Sequence, residues 1–235
     1  MENPFLEDCG VRWPTIRPKD AATLILVRRD KDAIRVLMGM RAQSHVFLPG
    51  RFVFPGGRVD SGDLRLAVAT DLRPEVQAKV AAGIGPARAR ALALAAVRET
   101  FEETGLLVGE RSTSAPRTRS LGWRDFLAQQ VIPKLEALDF IARAITPPGR
   151  SRRFDARFFM ADAEQIVHVL EPLAASGELL KPTWLTLAEA SAADVLPITR
   201  RILDEVEARS SGEAGPARPV PFFIPRRGKA VILPL

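Results

Sequence analysis

Three glutamates lie within five consecutive residues, just before a glycine that is suited to ending a helix. They are Glu99, Glu102 and Glu103, and the glycine is Gly105. At about 100° per residue, a helix over this stretch turns Phe101 and the apolar residues before it to one side and the three carboxylates to nearly the opposite side. The pattern therefore predicts a helix that buries one face and presents carboxylates on the other.

Carboxylates held this close repel one another and raise each other's pKa values unless a divalent cation lies among them. Oxygen ligands of this hard type suit Mg²⁺ or Mn²⁺. Arg98 precedes Glu102 by four residues, a spacing at which the two side chains can pair on a helix. The alternative is a solvated acidic helix face with one surface ion pair, and the cluster alone does not decide between the two.

A glycine pair lies upstream, in Phe54-Pro55-Gly56-Gly57, and is followed by an acidic residue, Asp63. Together with Arg98 to Leu106, this arrangement resembles the Nudix box, which runs from a glycine through five residues to an acidic residue, a spacer, and then Arg-Glu-hydrophobic-x-Glu-Glu-x-Gly-hydrophobic. Gly57 begins the box here. Asp63 stands where the family usually has glutamate, and Thr100 where it usually has a larger apolar residue, but the Arg-Glu-x-x-Glu-Glu core is complete.

The box is split by an insertion. Residues 64–97 lie between its two halves, where the family has a spacer of seven. The stretch from Leu64 to Ala82 predicts a helix closed by glycines, and Pro86 suits the first turn of the next helix. We therefore expect a helical insertion, at about residues 64–90, that leaves the two halves of the box free to meet, because the cost of closing a loop rises slowly with its length.

The rest of the chain alternates strands and helices, which suits a mixed sheet between helices. The predicted strands are 21–29, 34–41, 52–54, 141–146, 154–160, 179–185, 220–224 and 230–233. The predicted helices outside the box are 123–130, 133–139, 186–192 and 198–208. The resemblance implies the Nudix α/β/α sandwich, and the length of 235 residues favours one domain, 1–235, with residues 1–17 as an N-terminal tail.

The formal net charge of +6 and the pI near 10.2 favour an anionic partner such as a phosphorylated small molecule. An arginine-rich composition without functional meaning is the alternative. Basic runs interleaved with aromatics are absent, so no specific nucleic-acid partner is expected. With neither a long apolar stretch nor a signal-peptide pattern, and with Cys9 as the single cysteine, we expect a cytoplasmic protein without a membrane partner, and a homodimer remains open.

The resemblance implies a metal-dependent hydrolase that cleaves a pyrophosphate linkage in a nucleoside diphosphate derivative. It implies that Glu99, Glu102 and Glu103 bind Mg²⁺ or Mn²⁺ with help from the backbone carbonyl of Gly57, so that a water held there attacks phosphorus. Arg98 is implied to orient the glutamates.

A narrower signature, found in Nudix enzymes that cleave coenzyme A, also resembles this chain. Arg41, Ala42, Gly50 and Phe54-Pro55-Gly56-Gly57 match it in order and spacing, whereas Val46 stands where a second arginine is expected. With the split box, this looks like the subfamily of coenzyme A diphosphatases with an inserted box and their bacterial relatives. Coenzyme A or an acyl-CoA is thus the first choice of substrate, giving 3′,5′-ADP and 4′-phosphopantetheine or its acylated form. ADP-ribose, NADH and nucleoside triphosphates remain open, as does a non-catalytic Nudix module that binds a nucleotide and regulates a partner.

Three arginines flank the glycine-rich stretch and are predicted to bind substrate phosphate: Arg41, Arg51 and Arg58. A basic turn at residues 150–153 either contacts substrate phosphate or is simply solvated. A general base from outside the box is also open, with Glu171 and Glu189 as candidates, and the sequence selects neither.

Overall fold

The computed structural model describes residues 16–31, 33–42, 50–114, 116–169, 179–211, 218–226 and 229–235. Three residues that the sequence analysis singled out lie outside the described residues: Cys9, Val46 and Glu171.

Strands and helices alternate along the described residues. The strands are β1 (Lys19–Arg29), β2 (Ile34–Arg41), β3 (Phe52–Val53), β4 (Gly56–Arg58), β5 (Leu106–Val108), β6 (Glu110–Arg111), β7 (Val131–Ile132), β8 (Asp139–Ile145), β9 (Phe154–Asp162), β10 (Ile166–Val169), β11 (Leu179–Thr186), β12 (Pro221–Arg226) and β13 (Lys229–Pro234). The helices are α1 (Pro74–Ala81), α2 (Pro86–Thr104), α3 (Leu121–Ala128), α4 (Leu187–Ala192) and α5 (Pro197–Ser210). Short 3₁₀ turns occupy Ser61–Leu64, Leu135–Ala137 and Ala163–Gln165.

Most of the predicted elements are confirmed within a few residues, including the β1–β2 hairpin and the final β12–β13 hairpin. Two helix predictions are wrong. Only Pro74–Ala81 is helical within the stretch predicted from Leu64 to Ala82, and the predicted helix at 133–139 is a single 3₁₀ turn that leads into β8. The strands β5 and β10 pair with each other and were not predicted, because each is a short apolar run without alternation.

The central sheet is mixed. Its described strands follow the order β11-β2-β1-β9-β8-β12-β13, with β3 paired to β2 and β4 paired to β1. The β1–β9 and β12–β8 pairs are parallel, and the others are antiparallel. The strand β4 pairs with the first half of β1, and β2 pairs with the end of β1. The first half of β1 therefore lies beside the glycine-rich stretch.

Both faces of β1 are covered, which makes the molecule a three-layered sandwich. Ala22, Leu24 and Leu26 belong to the core cluster shared with α1, α2 and α3. Ile25 and Val27 alternate with them and belong to the cluster shared with α4 and α5. Since successive side chains of a strand point to opposite faces, this alternation places one helical layer on each side of the sheet. The predicted α/β/α sandwich is therefore confirmed.

The long helix α2 carries the second half of the box. It begins at Pro86, which is compatible with a first helical turn, and ends where Gly105 takes a φ of 74°, a left-handed conformation that favours glycine. The residues from Ala91 to Val97 are buried all round the helix. The prediction of one buried face is wrong for these residues, because α1 and α3 cover the sides of α2 that the sheet leaves open. In the last turns Arg98 and Glu103 are also buried, and only Glu102 is exposed among the three glutamates.

The insertion is part of the core rather than an appendage. Leu66, Leu72, Val76 and Val80 are at most 6% exposed and belong to the same cluster as α2. An eight-residue helix such as α1 is too short to be stable by itself in water, so its apolar face must be buried against the rest of the fold.

No single helix among the described residues is long and apolar enough to cross a membrane, and only the pair α1 and α2, bent by 103°, has that length and composition jointly.

Candidate active site

Strand β4 lies between helix α2 and strand β1, and Gly57 and Gly56 make these two close approaches possible. A Cβ atom on Gly57 would lie 2.3 Å from Cδ of Glu99, and one on Gly56 would lie 2.6 Å from the backbone oxygen of Ala22. The backbone N–H of Gly56 donates to Oε2 of Glu103 across 2.9 Å. The two halves of the split box therefore meet in space, as the sequence predicts.

The guanidinium of Arg98 connects the acidic residues of the box. It donates to both carboxylate oxygens of Asp63, at 3.0 and 3.1 Å, to Oε1 of Glu99 at 2.9 Å and to Oε2 of Glu102 at 2.8 Å. It also donates to the backbone oxygen of Arg58 at 2.8 Å. The ion pair predicted between Arg98 and Glu102 is present, and the guanidinium holds the carboxylates of α2 in fixed positions relative to β4.

Asp63 is fully buried, and four hydrogen bonds satisfy its carboxylate. Besides the two from Arg98, Oδ2 accepts from the backbone N–H of Asp60 at 2.7 Å and Oδ1 accepts from Nε1 of Trp123 at 2.8 Å. Trp123 was not predicted as a site residue; it is also fully buried and lies 60 residues from Asp63 along the chain. From the sequence alone, a tryptophan near the start of an amphipathic helix is equally compatible with simple packing in the hydrophobic core.

The first turn of α3 also touches the carboxylates. A Cβ atom on Gly122 would lie 2.3 Å from Oε1 of Glu102 and 2.9 Å from Cδ of Arg98. The side chain of Glu102 is 36% exposed, whereas Glu103 is 4% exposed. The backbone of Gly122 thus approaches the Glu102 carboxylate as closely as the backbone of Gly57 approaches the Glu99 carboxylate.

Burial dominates the electrostatics of this cluster. It raises the pKa of Glu99 to about 7, and the nearby charge of Glu102 adds to the effect although Arg98 opposes it. Burial also raises the pKa of Glu102. For Arg98 burial acts in the opposite direction, but its hydrogen bond to Asp63 and the charges of Glu99, Asp63 and Glu102 prevail and raise its pKa. One guanidinium therefore faces three carboxylates, so the site has fewer positively charged groups than acidic ones.

The residues present fit a divalent cation. Their donors are hard carboxylate oxygens, one guanidinium does not balance their charge, and the missing side chain of Gly57 lets the Glu99 carboxylate lie directly against the backbone of β4. In the described part of the chain, however, no three acidic, histidine or cysteine side chains are already close enough to hold a metal ion. Arg98 bonds to one oxygen of Glu99 and to one oxygen of Glu102, so a cation would bind through the second oxygen of each carboxylate.

A cleft of about 1440 Å³ opens at the carboxylates. Arg41 and Arg58 line it together with Glu99, Glu102 and Glu103.

Two other predicted site residues are not among the described residues that line this cleft. Arg51 is not among the described residues that line it, and its Nε lies 3.7 Å from Asp194. Glu189 is not among them either, because its carboxylate caps α4 by accepting from the backbone N–H of Thr186 at 2.7 Å. The described residues therefore offer no support for Glu189 as a general base.

The structure has recognisable relatives. No family model matches the chain. The fold is similar to that of a NUDIX hydrolase from Alicyclobacillus acidocaldarius, with a TM-score of 0.54 and 25% sequence identity over 87% of this chain and 88% of that one. The NUDIX domain of Shewanella oneidensis NrtR, complexed with ADP ribose, has a TM-score of 0.49 and 10% identity over 83% and 90% of the two chains. An Ap4A hydrolase of C. elegans has a TM-score of 0.46 and 18% identity over 83% and 98%. The last two similarities are too weak to inform the function, whereas the first extends over nearly all of both chains.

Proposed function

We propose that the chain is a Nudix hydrolase, because its fold is similar to that of a NUDIX hydrolase over nearly all of both chains, and that it hydrolyses a pyrophosphate linkage in a nucleoside diphosphate derivative. The observation that carries this proposal is the set of acidic side chains joined by Arg98 at the wall of a large cleft. Hydrolysis of a pyrophosphate needs its negative charge neutralised while a water is positioned for attack. A protein site that is itself short of positive charge suits that task when it recruits a cation.

Glu99, Glu102 and Glu103 would hold the cation, Mg²⁺ or Mn²⁺, with the backbone carbonyl of Gly57. Such an ion supplies positive charge to the phosphates and lowers the pKa of water. Arg98 holds two of these carboxylates in place through hydrogen bonds of 2.8 and 2.9 Å. Its guanidinium is only 7% exposed and fully engaged, which supports a positioning role rather than contact with substrate.

Arg41 and Arg58 remain the candidates for binding the substrate's phosphates. Both line the cleft beside the carboxylates. A guanidinium binds phosphate through charge-assisted and often bidentate hydrogen bonds. Arg51 is not among the described residues that line the cleft, so the phosphate-binding proposal is best supported for these two arginines.

Coenzyme A or an acyl-CoA is the proposed substrate. The cleft exceeds the ~300–1,000 Å³ of a typical small-ligand pocket, which suits a long substrate. Its wall contains cationic side chains for phosphate and also apolar ones such as Phe54, Phe158 and Ile198. A ligand with phosphates at one end and an uncharged chain at the other matches that combination. ADP-ribose, NADH and nucleoside triphosphates are the competing substrates.

The test is a panel of coenzyme A, dephospho-coenzyme A, ADP-ribose, NADH and nucleoside triphosphates, incubated with Mg²⁺ or Mn²⁺ and, in parallel, with a chelator. Products are identified by mass. We expect cleavage at the pyrophosphate only with metal, and 3′,5′-ADP from coenzyme A. If no member of the panel is turned over but one binds tightly, the chain is a non-catalytic nucleotide-binding module instead.

Several expectations from the sequence stay predictions. They are a single domain over residues 1–235, a cytoplasmic location, the absence of membrane and specific nucleic-acid partners, and an open question of homodimerisation.

A further inference from the structure

The cleft has a basic end, which we define by four cationic side chains: Lys19, Arg88, Arg150 and Arg152. All four line the cleft, and they come from the start of β1, from α2 and from the turn between β8 and β9. Asp20 is the acidic residue that lines the cleft beside them. Cations from three separate segments would repel one another here unless an anion offsets them.

Two independent measures place the basic end beyond the carboxylates. Along α2, Arg88 precedes Glu99 by eleven residues, which is roughly 16 Å at ~1.5 Å per residue. Along β1, Gly57 pairs with Ala22, and Lys19 lies three residues further, which is about 10 Å at ~3.3 Å per residue. A group bound at the basic end is therefore distinct from the phosphates next to the glutamates.

Arg88 is anchored by a chain of ion pairs that leads to the buried side chain of Arg157. Its Nε donates to Oδ2 of Asp20. Oδ1 of Asp20 lies 3.5 Å from Nη1 of Arg157, which is 1% exposed and also lies 2.9 Å from Oδ1 of Asp155. Arg88 belongs to the segment that splits the box, so the insertion itself contributes a fixed positive charge to the cleft.

The basic turn between β8 and β9 is also held in place. Nε of Arg153 donates to the backbone oxygen of Thr146 at 2.9 Å, and its Nη1 donates to the backbone oxygen of Ile16 at 2.7 Å. The backbone N–H of Phe154 donates to Oγ1 of Thr146 at 3.0 Å. These bonds fix the ends of the turn, and Arg150 and Arg152 within it line the cleft. Of the two interpretations of this turn, the structure favours contact with a ligand.

We propose that the basic end binds a second anionic group of the substrate, a phosphate monoester on its nucleotide half, and that the insertion takes part in substrate selection through Arg88. A phosphate monoester carries about −1.5 to −2 charges at neutral pH, which suits a cluster with four cations and one acid. The inference rests on the proposed function. Coenzyme A carries such a group as its 3′-phosphate, whereas dephospho-coenzyme A, ADP-ribose and NADH do not.

The first experiment compares specificity constants for coenzyme A and dephospho-coenzyme A. We expect the wild type to prefer coenzyme A, and Arg88→Gln and the double variant Arg150→Gln/Arg152→Gln each to lower that preference roughly tenfold or more, since each removes charge-assisted bonds to phosphate. Arg201→Gln, an exposed charge on α5 outside the cleft lining, is the matched control and should keep the preference. The proposal is overturned if both basic-end variants keep the wild-type preference. Arg41→Ala is measured in parallel, and a loss of preference in that variant alone would assign the phosphate site to Arg41 instead.

A binding experiment separates this inference from the proposed function. Calorimetry with chelator present compares adenosine 3′,5′-bisphosphate with 5′-AMP, and we expect the bisphosphate to bind at least about tenfold more tightly in the wild type but not in the basic-end variants. If this preference is found without any hydrolysis, the basic end stands and the proposed function fails. If hydrolysis occurs but neither assay detects a preference for the extra phosphate, the proposed function stands and this inference fails. Circular dichroism checks folding, and if Arg88→Gln does not fold, the double variant in the turn decides.

Discussion

Nε1 of Trp123 donates a hydrogen bond to Oδ1 of Asp63 across 2.8 Å, between two side chains that are both inaccessible to solvent. Asp63 in turn accepts from Arg98, which holds Glu99 and Glu102. A helix that follows the motif thus helps to place the carboxylates inside it. The edge-to-face contact of Trp123 with Phe126, at 5.2 Å between ring centroids, keeps the indole in position.

Trp123→Phe tests this connection. It keeps an aromatic ring beside Phe126 but leaves Asp63 with one hydrogen bond fewer in a fully buried place, so we expect the free energy of unfolding to fall by about 1–3 kcal/mol. Turnover should fall several-fold as well, because Arg98 loses part of its support. Urea denaturation and initial rates measure both effects.

The control is Trp184→Phe, since Trp184 contacts Arg28 rather than the box. We expect that variant to keep its turnover. If Trp123→Phe keeps wild-type turnover after losing stability, Trp123 supports the fold and has no part in positioning the site.

Gly122→Ala should displace one carboxylate while the fold remains intact. The added Cβ meets Oε1 of Glu102 at 2.3 Å, and this is the movable end of a flexible side chain. Residues that orient metal ligands typically affect metal affinity by about 10- to 100-fold, so we expect a shift of about tenfold in the Mg²⁺ concentration that half-saturates turnover. A magnesium titration of initial rates measures it.

Gly62→Ala is the matched control. There the added Cβ meets Oγ of Ser120 at 2.3 Å, whereas the carboxylate oxygen Oδ1 of Asp60 lies at an ordinary contact distance of 3.4 Å. Equal magnesium dependence in both alanine variants would contradict the role assigned to Gly122.

The box and the sheet were predictable because their signals are local. The spacing of Arg98, Glu99, Glu102 and Glu103 determines a helix face, and alternation or apolar runs mark strands such as β1 and β9. The sequence does not indicate which residues from distant parts of the chain form hydrogen bonds to the residues of the box. Trp123 is such a residue, because nothing near it in sequence distinguishes a hydrogen-bonded indole from a packed one.

The packing of the insertion could not be predicted for a related reason. Its pattern indicates helix, but whether Val76 and Val80 pack on α2 or form a separate unit depends on tertiary contacts that composition does not encode. Arg51 shows the same limit, since it was predicted to bind phosphate because it flanks the glycine-rich stretch, and its Nε lies 3.7 Å from Oδ1 of Asp194.

Leu72→Ala tests the integration of the insertion. Leu72 is 5% exposed within the main core cluster, so its truncation should lower the free energy of unfolding by about 2–5 kcal/mol. Leu121→Ala, at a residue that is 70% exposed, should change it by less than about 0.5 kcal/mol. Chemical denaturation of both variants makes the comparison. Equal stabilities would show that the insertion is only loosely attached.

Glu102→Gln and Glu103→Gln test the proposed cation site directly. Each removes a charged oxygen ligand, and we expect turnover to fall by a factor of about 100 or more. Glutamine keeps the size of the side chain, so the bond from Gly56 to residue 103 can be retained and the fold should survive. Glu110→Gln, at an exposed strand position, controls for the loss of one charge. Near-normal rates in both site variants at saturating Mg²⁺ would exclude these residues as ligands.

The pKa of Glu99 predicts how stability depends on pH in the metal-free protein. Burial raises it to about 7 from a usual value of 4.5, so between these values the folded state binds more protons than the unfolded state. The free energy of unfolding must then fall as the pH rises from about 4.5 to about 7, and the loss is complete above that range. At ~1.4 kcal/mol per pKa unit the loss is on the order of 3 kcal/mol.

Glu99→Gln isolates this contribution from those of other groups. Its stability relative to the wild type should increase steadily between about pH 5 and 7.5 when urea denaturation is performed with chelator. Adding Mg²⁺ at pH 8 should stabilise the wild type more than the variant, because a cation that binds the folded state favours the ionised carboxylate. A difference between the two proteins that stays constant with pH would mean that Glu99 ionises with an ordinary pKa, and the shortage of positive charge inferred for this site would be wrong.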